Sequence, residues 1–166
     1  MLQYSVHSPT EFIRTHLDQL LPSWPLPVLS VLVVLQFCQF AFLEQTVHTE
    51  ISKNQFRQQF VEFGSQVIFQ LKAMGHLADI FDPRTGLPMT SAPGQLRLND
   101  VKVVCASLDY AIDSSGSCAV IVHPTWGKAV YPATLVSSAQ PKVVEEVVAS
   151  ILASSTYYSS IRANAH

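Results

Sequence analysis

Charged side chains are scarce in this sequence. Asp, Glu, Lys and Arg make up 13% of its 166 residues against 48% hydrophobic, and ten basic and twelve acidic groups leave a net charge of −2. So apolar a chain argues against disorder. The lack of any Lys/Arg cluster argues against a nucleic-acid partner, whose phosphates would demand one. Cysteine is equally sparse: Cys38, Cys105 and Cys118 are odd in number and widely spaced. They contain no Cys-x-x-Cys pair for a zinc knuckle, and a reducing compartment suits them. Signature motifs are missing too. No Gly-rich phosphate loop, His-Glu-x-x-His helix or Gly-x-Ser-x-Gly elbow occurs, which removes the usual marks of nucleotide, zinc and serine-nucleophile chemistry. Asp113, Ser117 and His123 make a triad only on paper, because they share one short stretch instead of converging from separate elements. The N-terminus mixes Arg14 and His16 with Glu11 and Asp18, so no targeting segment is expected there.

What is present is a long uncharged run, Gln19 to Leu43, strongly apolar from Val28 to Phe42. A membrane span has to be weighed for such a run. Pro22, Pro25 and Pro27 at its start and Gln36 and Gln39 within it oppose a span. Val31, Val33, Val34 and Phe37 favour a strand buried on both faces, so Val28 to Phe42 is predicted to lie mainly in a sheet.

The length suits one domain, residues 1–153, followed by a frayed serine-rich tail over 154–166. Ser8-Pro9-Thr10-Glu11 predicts a short helix ending before Pro22. Glu44 to Glu50 reads as a second strand. Ser52-x-x-Gln55 and the stripe Phe56, Phe60, Phe63, Val67, Leu71 and Met74 predict a long helix from Asn54 to Met74, closed by Gly75, with the phenylalanines in the core. Asp82-Pro83-Arg84-Thr85-Gly86 is a turn in which Asp82 caps its own backbone, and Thr90 to Gly94 a loop. A strand is expected around Val101 to Ala106 and a turn at Asp113 to Gly116. Strands over Ser117 to His123 and Ala129 to Val136 then flank Pro124-Thr125-Trp126-Gly127 as a hairpin. Pro141 opens a last helix reaching about Ala153. The fold class is therefore α+β, a mainly antiparallel sheet with one long and two shorter helices.

Alternation along Ser117-Cys118-Ala119-Val120-Ile121-Val122-His123 places Ser117, Ala119, Ile121 and His123 on one exposed face and turns Cys118, Val120 and Val122 to the core. By composition alone, Cys118 is a small buried hydrophobe and His123 a strand-end residue.

Several runs taken in order carry a family resemblance. They are Phe60 to Gly75, Ala78 to Leu87, Leu108 to Cys118, and Val120-Ile121-Val122-His123 through Trp126-Gly127. Together they resemble the methylmalonic aciduria and homocystinuria type D protein family over roughly Phe12 to Val148. The Asp82-Pro83-x-x-Gly86 and His123-x-x-Trp126-Gly127 elements are the most specific parts. The resemblance implies a nitroreductase-like scaffold without flavin, no enzymatic activity and no tightly bound cofactor. It implies an adaptor that docks on the type C cobalamin-processing protein and directs cobalamin toward the methionine synthase and methylmalonyl-CoA mutase routes, with cobalamin at the interface of the two proteins. A cytoplasmic location is expected, a mitochondrial one being the alternative.

On this resemblance Ser117, Cys118, His123 and Trp126 are the cobalamin- and partner-binding residues, with no metal ligand and no catalytic residue assigned. The family has two adjacent cysteines after the glycine, and the first is implied as a cobalt ligand. Ser117 stands at that place here, and a hydroxyl is a far poorer cobalt ligand than a thiolate. With Cys118 turned to the core, the expectation is that cobalt bonding through sulfur is lost while docking persists. Two other functions remain open at this point: a flavin-dependent oxidoreductase, for which only Arg14 offers an early basic contact, and a membrane-anchored protein.

Overall fold

The uncharged run resolves as a strand because both of its faces find apolar partners. In the computed structural model, which describes residues 1–39, 46–116, 118–154 and the backbone of 161–163, it forms β2 (Ser30–Phe37), buried at every position up to Gln36. Leu32 and Val34 enter one hydrophobic cluster; Val31, Val33 and Leu35 enter another on the opposite side of the sheet. Strands alternate their side chains, so only a strand covered on both faces can be apolar throughout. Gln36, an objection to hydrocarbon burial, is satisfied inside the protein: its Nε2 donates to the Phe56 carbonyl at 2.8 Å. Among the described residues no helix is long and apolar enough to cross a membrane. Residues 40–42 of the expected strand lie outside the described ones.

β2 pairs antiparallel with β1 (Leu2–His7) on one side and with β6 (Val130–Ser137) on the other. β3 (Ala78–Phe81) continues the antiparallel pairing beyond β6. β7 (Ile161–Ala163), within the stretch expected to fray, lies parallel to β1, giving the order β3-β6-β2-β1-β7. β1 was invisible in the sequence, since only Leu2, Ser5 and Val6 of its six residues are buried and they do not alternate. One face of the sheet is covered by α3 (Val47–Ala73) and α5 (Pro141–Ser154), the other by α1 (Glu11–Thr15), α2 (Leu17–Leu20) and α4 (Asp100–Leu108). The α+β class with a mainly antiparallel sheet, one long helix and shorter ones is thus borne out.

Local expectations fared unevenly. The long helix begins earlier than its phenylalanine stripe: Thr46 is the N-cap, exchanging bonds with Thr49 at 2.8 and 3.2 Å. The strand expected over 44–50 is therefore corrected to helix for 47–50, with 44 and 45 outside the described residues. In the first helix the cap is Thr10, whose Oγ1 accepts from the Ile13 N–H at 3.3 Å, and the segment breaks into α1 and α2 at His16.

The strand expected around Val101 to Ala106 is α4. Its valines have strand propensity, but Val101, Val104, Cys105 and Leu108 recur at helical spacing and pack as one stripe. Asn99 caps it by accepting from the Lys102 N–H at 3.1 Å. Packing and the cap outweigh an intrinsic preference worth at most about 1 kcal/mol.

The expected hairpin does not form. β5 (Val120–Val122) pairs instead with β4 (Ala111–Asp113), and the bridge His123–Gly127 is isolated. β6 is already engaged with β2 along its whole length.

Gly64 lets α3 approach the sheet, because a Cβ there would come within 2.6 Å of Ile80 Cδ1. Gly64→Val should lower stability by about 1–3 kcal/mol, the usual cost of overpacking. A urea titration followed by circular dichroism would register this as a lower midpoint.

Candidate functional site

The turn after β3 builds one end of a cleft. Asp82 ends the strand and holds the turn from both its groups: its carbonyl accepts from the Thr85 and Gly86 N–H, and its Oδ1 accepts from the Arg84 N–H at 2.9 Å. Gly86 sits at φ 70, where a side chain would be strained. The self-capping read from Asp82-Pro83-x-x-Gly86 is present. Beyond it, Arg57 of α3 clasps the Asp82 carboxylate with Nε and NH2, both at 2.7 Å. This hydrogen bonding holds Asp82 below its ordinary pKa. The pair fastens helix to turn, and no local pattern announces a partner 25 residues away.

The cleft has a volume of about 450 Å³. Lys53 and Arg57 of α3 form one wall, Pro83 and Arg84 one end, and Val130 to Pro132 of β6 another side. The chain segment from Cys118 to Ile121 completes the lining. Lys128, also in the lining, is ion-paired with Asp113.

Cys118 is exposed, so the expectation that it faces the core is corrected. The face assignment along this strand is inverted: Ile121 and His123, expected outside, are buried at 1% and 4% exposure. β5 spans only Val120 to Val122, so the alternation does not extend back to residue 118. Ile121 is drawn into the core beneath α4. Ser117 lies outside the described residues. The other thiols differ in kind. Cys38 is buried, which pushes its pKa up to about 12, and half-buried Cys105 is raised for the same reason.

His123 and Trp126 come together outside the residues that line the cleft. Their rings stack at 4.3 Å, with Tyr110 edge-on to His123 at 5.3 Å and Phe37 against Trp126 at 5.6 Å. His123 Nδ1 accepts from the Thr125 and Trp126 N–H, both at 3.1 Å. Its proton therefore sits on Nε2, which donates to Gln3 Oε1 at 3.0 Å. Both nitrogens are committed to holding the turn against β1. The triad on paper has no counterpart, since Asp113 pairs with Lys128 and His123 with these other groups. Trp126 is half-buried and closes the cluster.

Asp100 Oδ1 and Thr134 Oγ1 are shut off from solvent with no hydrogen bond of good geometry, the Thr134 hydroxyl being a polar neighbour of the carboxyl. Burial pushes the Asp100 pKa up to about 7, with the Thr134 hydroxyl opposing the rise and the Asp82 charge adding to it. Burial also raises Tyr131, helped by Asp100 and Asp82.

Comparison with known proteins finds that the model of the family described as "Methylmalonic aciduria and homocystinuria type D protein" matches residues 1–149. The chain is similar to the human (Homo sapiens) cobalamin trafficking protein CblD, 24% identical over 140 residues, covering 84% of this chain and 47% of that protein. Similarity to the rat (Rattus norvegicus) protein of the same name is 22% over 138 residues, covering 83% and 47%. The chain spans about half the length of these relatives.

Asp100 yields a pH test. Its folded pKa lies above the unfolded value of about 3.9, so between about pH 4 and 7 the folded state holds a proton that the unfolded state has released. This group's contribution to stability therefore falls as pH rises through that window. Asp100→Asn, which cannot ionise, should be more stable than the wild type at pH 7.5 and should flatten this part of the profile. Denaturant midpoints at half-unit pH steps would show it.

Proposed function

The chain belongs to the methylmalonic aciduria and homocystinuria type D protein family, and we propose that it is a cobalamin-trafficking adaptor that hands the vitamin on without transforming it. The type C cobalamin-processing protein is the proposed partner, and the methionine synthase and methylmalonyl-CoA mutase routes the proposed destinations. Family membership over residues 1–149 supports the trafficking role, as does the printed function of the CblD relatives. Three free thiols accord with a reducing, cytoplasmic setting.

One observation shapes the site within this reading: Cys118 is the exposed thiol, and it lines a cleft whose walls include Lys53, Arg84 and Lys128. A thiolate is a soft donor suited to a transition metal. We therefore assign to Cys118 the sulfur contact with cobalt that Ser117 cannot make. The corrin is far larger than the cleft, so it stays on the partner and meets this chain at the cleft rim. His123 and Trp126 are proposed as part of the partner-facing surface beside the cleft, with the histidine engaged in holding its own turn.

The experiment is the absorption spectrum of cob(II)alamin bound to the type C protein, on addition of this chain. A sulfur-to-cobalt band is expected with the wild type and lost in Cys118→Ser, while co-purification of the two proteins persists. Ser117→Cys on the Cys118→Ser background tests whether the neighbouring position can take over. A band that survives Cys118→Ser would sink the assignment, and no co-purification at all would sink the adaptor role.

A further inference from the structure

The cleft has a property independent of its thiol: it borders an unfinished strand. Cys38 donates its N–H to the Ala129 carbonyl at 3.0 Å, and Leu29 donates to the Ser137 carbonyl at 2.9 Å. The register between β2 and β6 is unbroken from Val130 to Ser137. Odd-numbered residues of β6 therefore turn their backbone groups to β2, and even-numbered ones turn theirs to the opposite side. On that opposite side β3 pairs only with Thr134 to Ser137, because the chain leaves the sheet at Asp82. The Val130 N–H and carbonyl and the Pro132 carbonyl consequently face the cleft with no strand beside them among the described residues. Pro132 agrees with this, since a proline is tolerated in a strand where its missing N–H faces an open edge.

The far wall is built the same way. Successive strand residues point to opposite faces, so a wall to which both Val120 and Ile121 of β5 contribute presents the flank of that strand. Among the described residues β5 is paired on one side only, with β4. The cleft thus borders two chain flanks that no strand joins among the described residues. Its basic lining is Lys53, Arg57, Arg84 and Lys128, against one acid, Glu50. Glu50 engages Lys53, Asp82 engages Arg57 and Asp113 engages Lys128. Arg84 is exposed, with no ion pair among the described residues.

We propose that the cleft receives a short extended acidic segment of a partner protein, which adds as a strand to the free edge of β6 at Val130 and Pro132 and places a carboxylate against Arg84. The open stretch of about 10 Å, at roughly 3.3 Å per residue, accepts about three residues in register. Backbone bonds supply the grip, and Val120 and Pro132 supply apolar contact for the alternate side chains. This inference goes beyond cobalamin handling and does not depend on it.

The test uses the full chain without cobalamin and a fluorescein-labelled hexapeptide of alternating glutamate and valine. Fluorescence anisotropy should show saturable binding, and the Val130 amide should gain protection from hydrogen exchange. N-methylating alternate peptide bonds should weaken binding at least about tenfold, as should Arg84→Glu, the loss of a charge-assisted bond at an exposed site. Melting curves should show Arg84→Glu folded as the wild type. Equal binding of the N-methylated peptide would overturn the proposal. So would complete displacement of the peptide by millimolar inorganic phosphate with no change at Val130, which would make the cleft a small-anion site.

Discussion

Everything in this fold is arranged around a strand that has no face for water. Burying a valine or leucine contributes about 1.5–3 kcal/mol, so β2, with Val31 to Leu35 all at 1% exposure or less, contributes only if both of its faces are covered. That requirement places α3 and α5 on one side and the α1, α2 and α4 layer on the other. It also fixes what is allowed inside: Ser30 hydrogen-bonds the Ala139 carbonyl, and Gln36 reaches the Phe56 carbonyl. Polar groups within the run are tolerated because neighbouring backbone satisfies them.

The cleft follows from where the sheet stops. β3 is a four-residue strand, and it ends because Asp82 turns the chain and is then held by Arg57. Had β3 continued, it would have covered the lower half of β6. Instead α3 stands beside that half and contributes Lys53 and Arg57 to the opening. The ion pair is half-shielded, bidentate and tied to the backbone of the turn, which is the geometry in which such a pair fixes position. The turn and the cleft are thus two consequences of one carboxylate.

What was legible in the sequence was whatever depends on local pattern. The phenylalanine face of α3, the valines of α5 and the Asp82 turn all arise from spacing within a few residues. The apolar run announced burial on both sides. What failed depended on partners far along the chain. β1 shows no alternation of its own and is a strand because β2 lies beside it. Val101 to Ala106 became helical because Asn99 caps it and the stripe through Leu108 finds Ile121 and Val136 in the same cluster. β5 pairs with β4 and not with β6, a choice of partner that propensity cannot reveal. The site residues Arg57, Arg84, Lys53 and Lys128 are scattered in sequence and gather only through the fold.

The reversal at Cys118 shows how far strand parity can be carried. Counting alternation from His123 back to Ser117 assumes seven extended residues, but the paired strand has three. Ile121 sets its phase, because it is the residue that fills the core under α4, and His123 follows two positions later into the same layer, where Tyr110 and Trp126 enclose it. Before Val120 the chain is bent out of the turn that begins at Asp113, whose Oδ1 accepts from the Ser115 N–H at 2.8 Å. Parity carries no information across such a bend. A thiol placed just beyond the last paired residue is therefore positioned by the turn and not by the pleat.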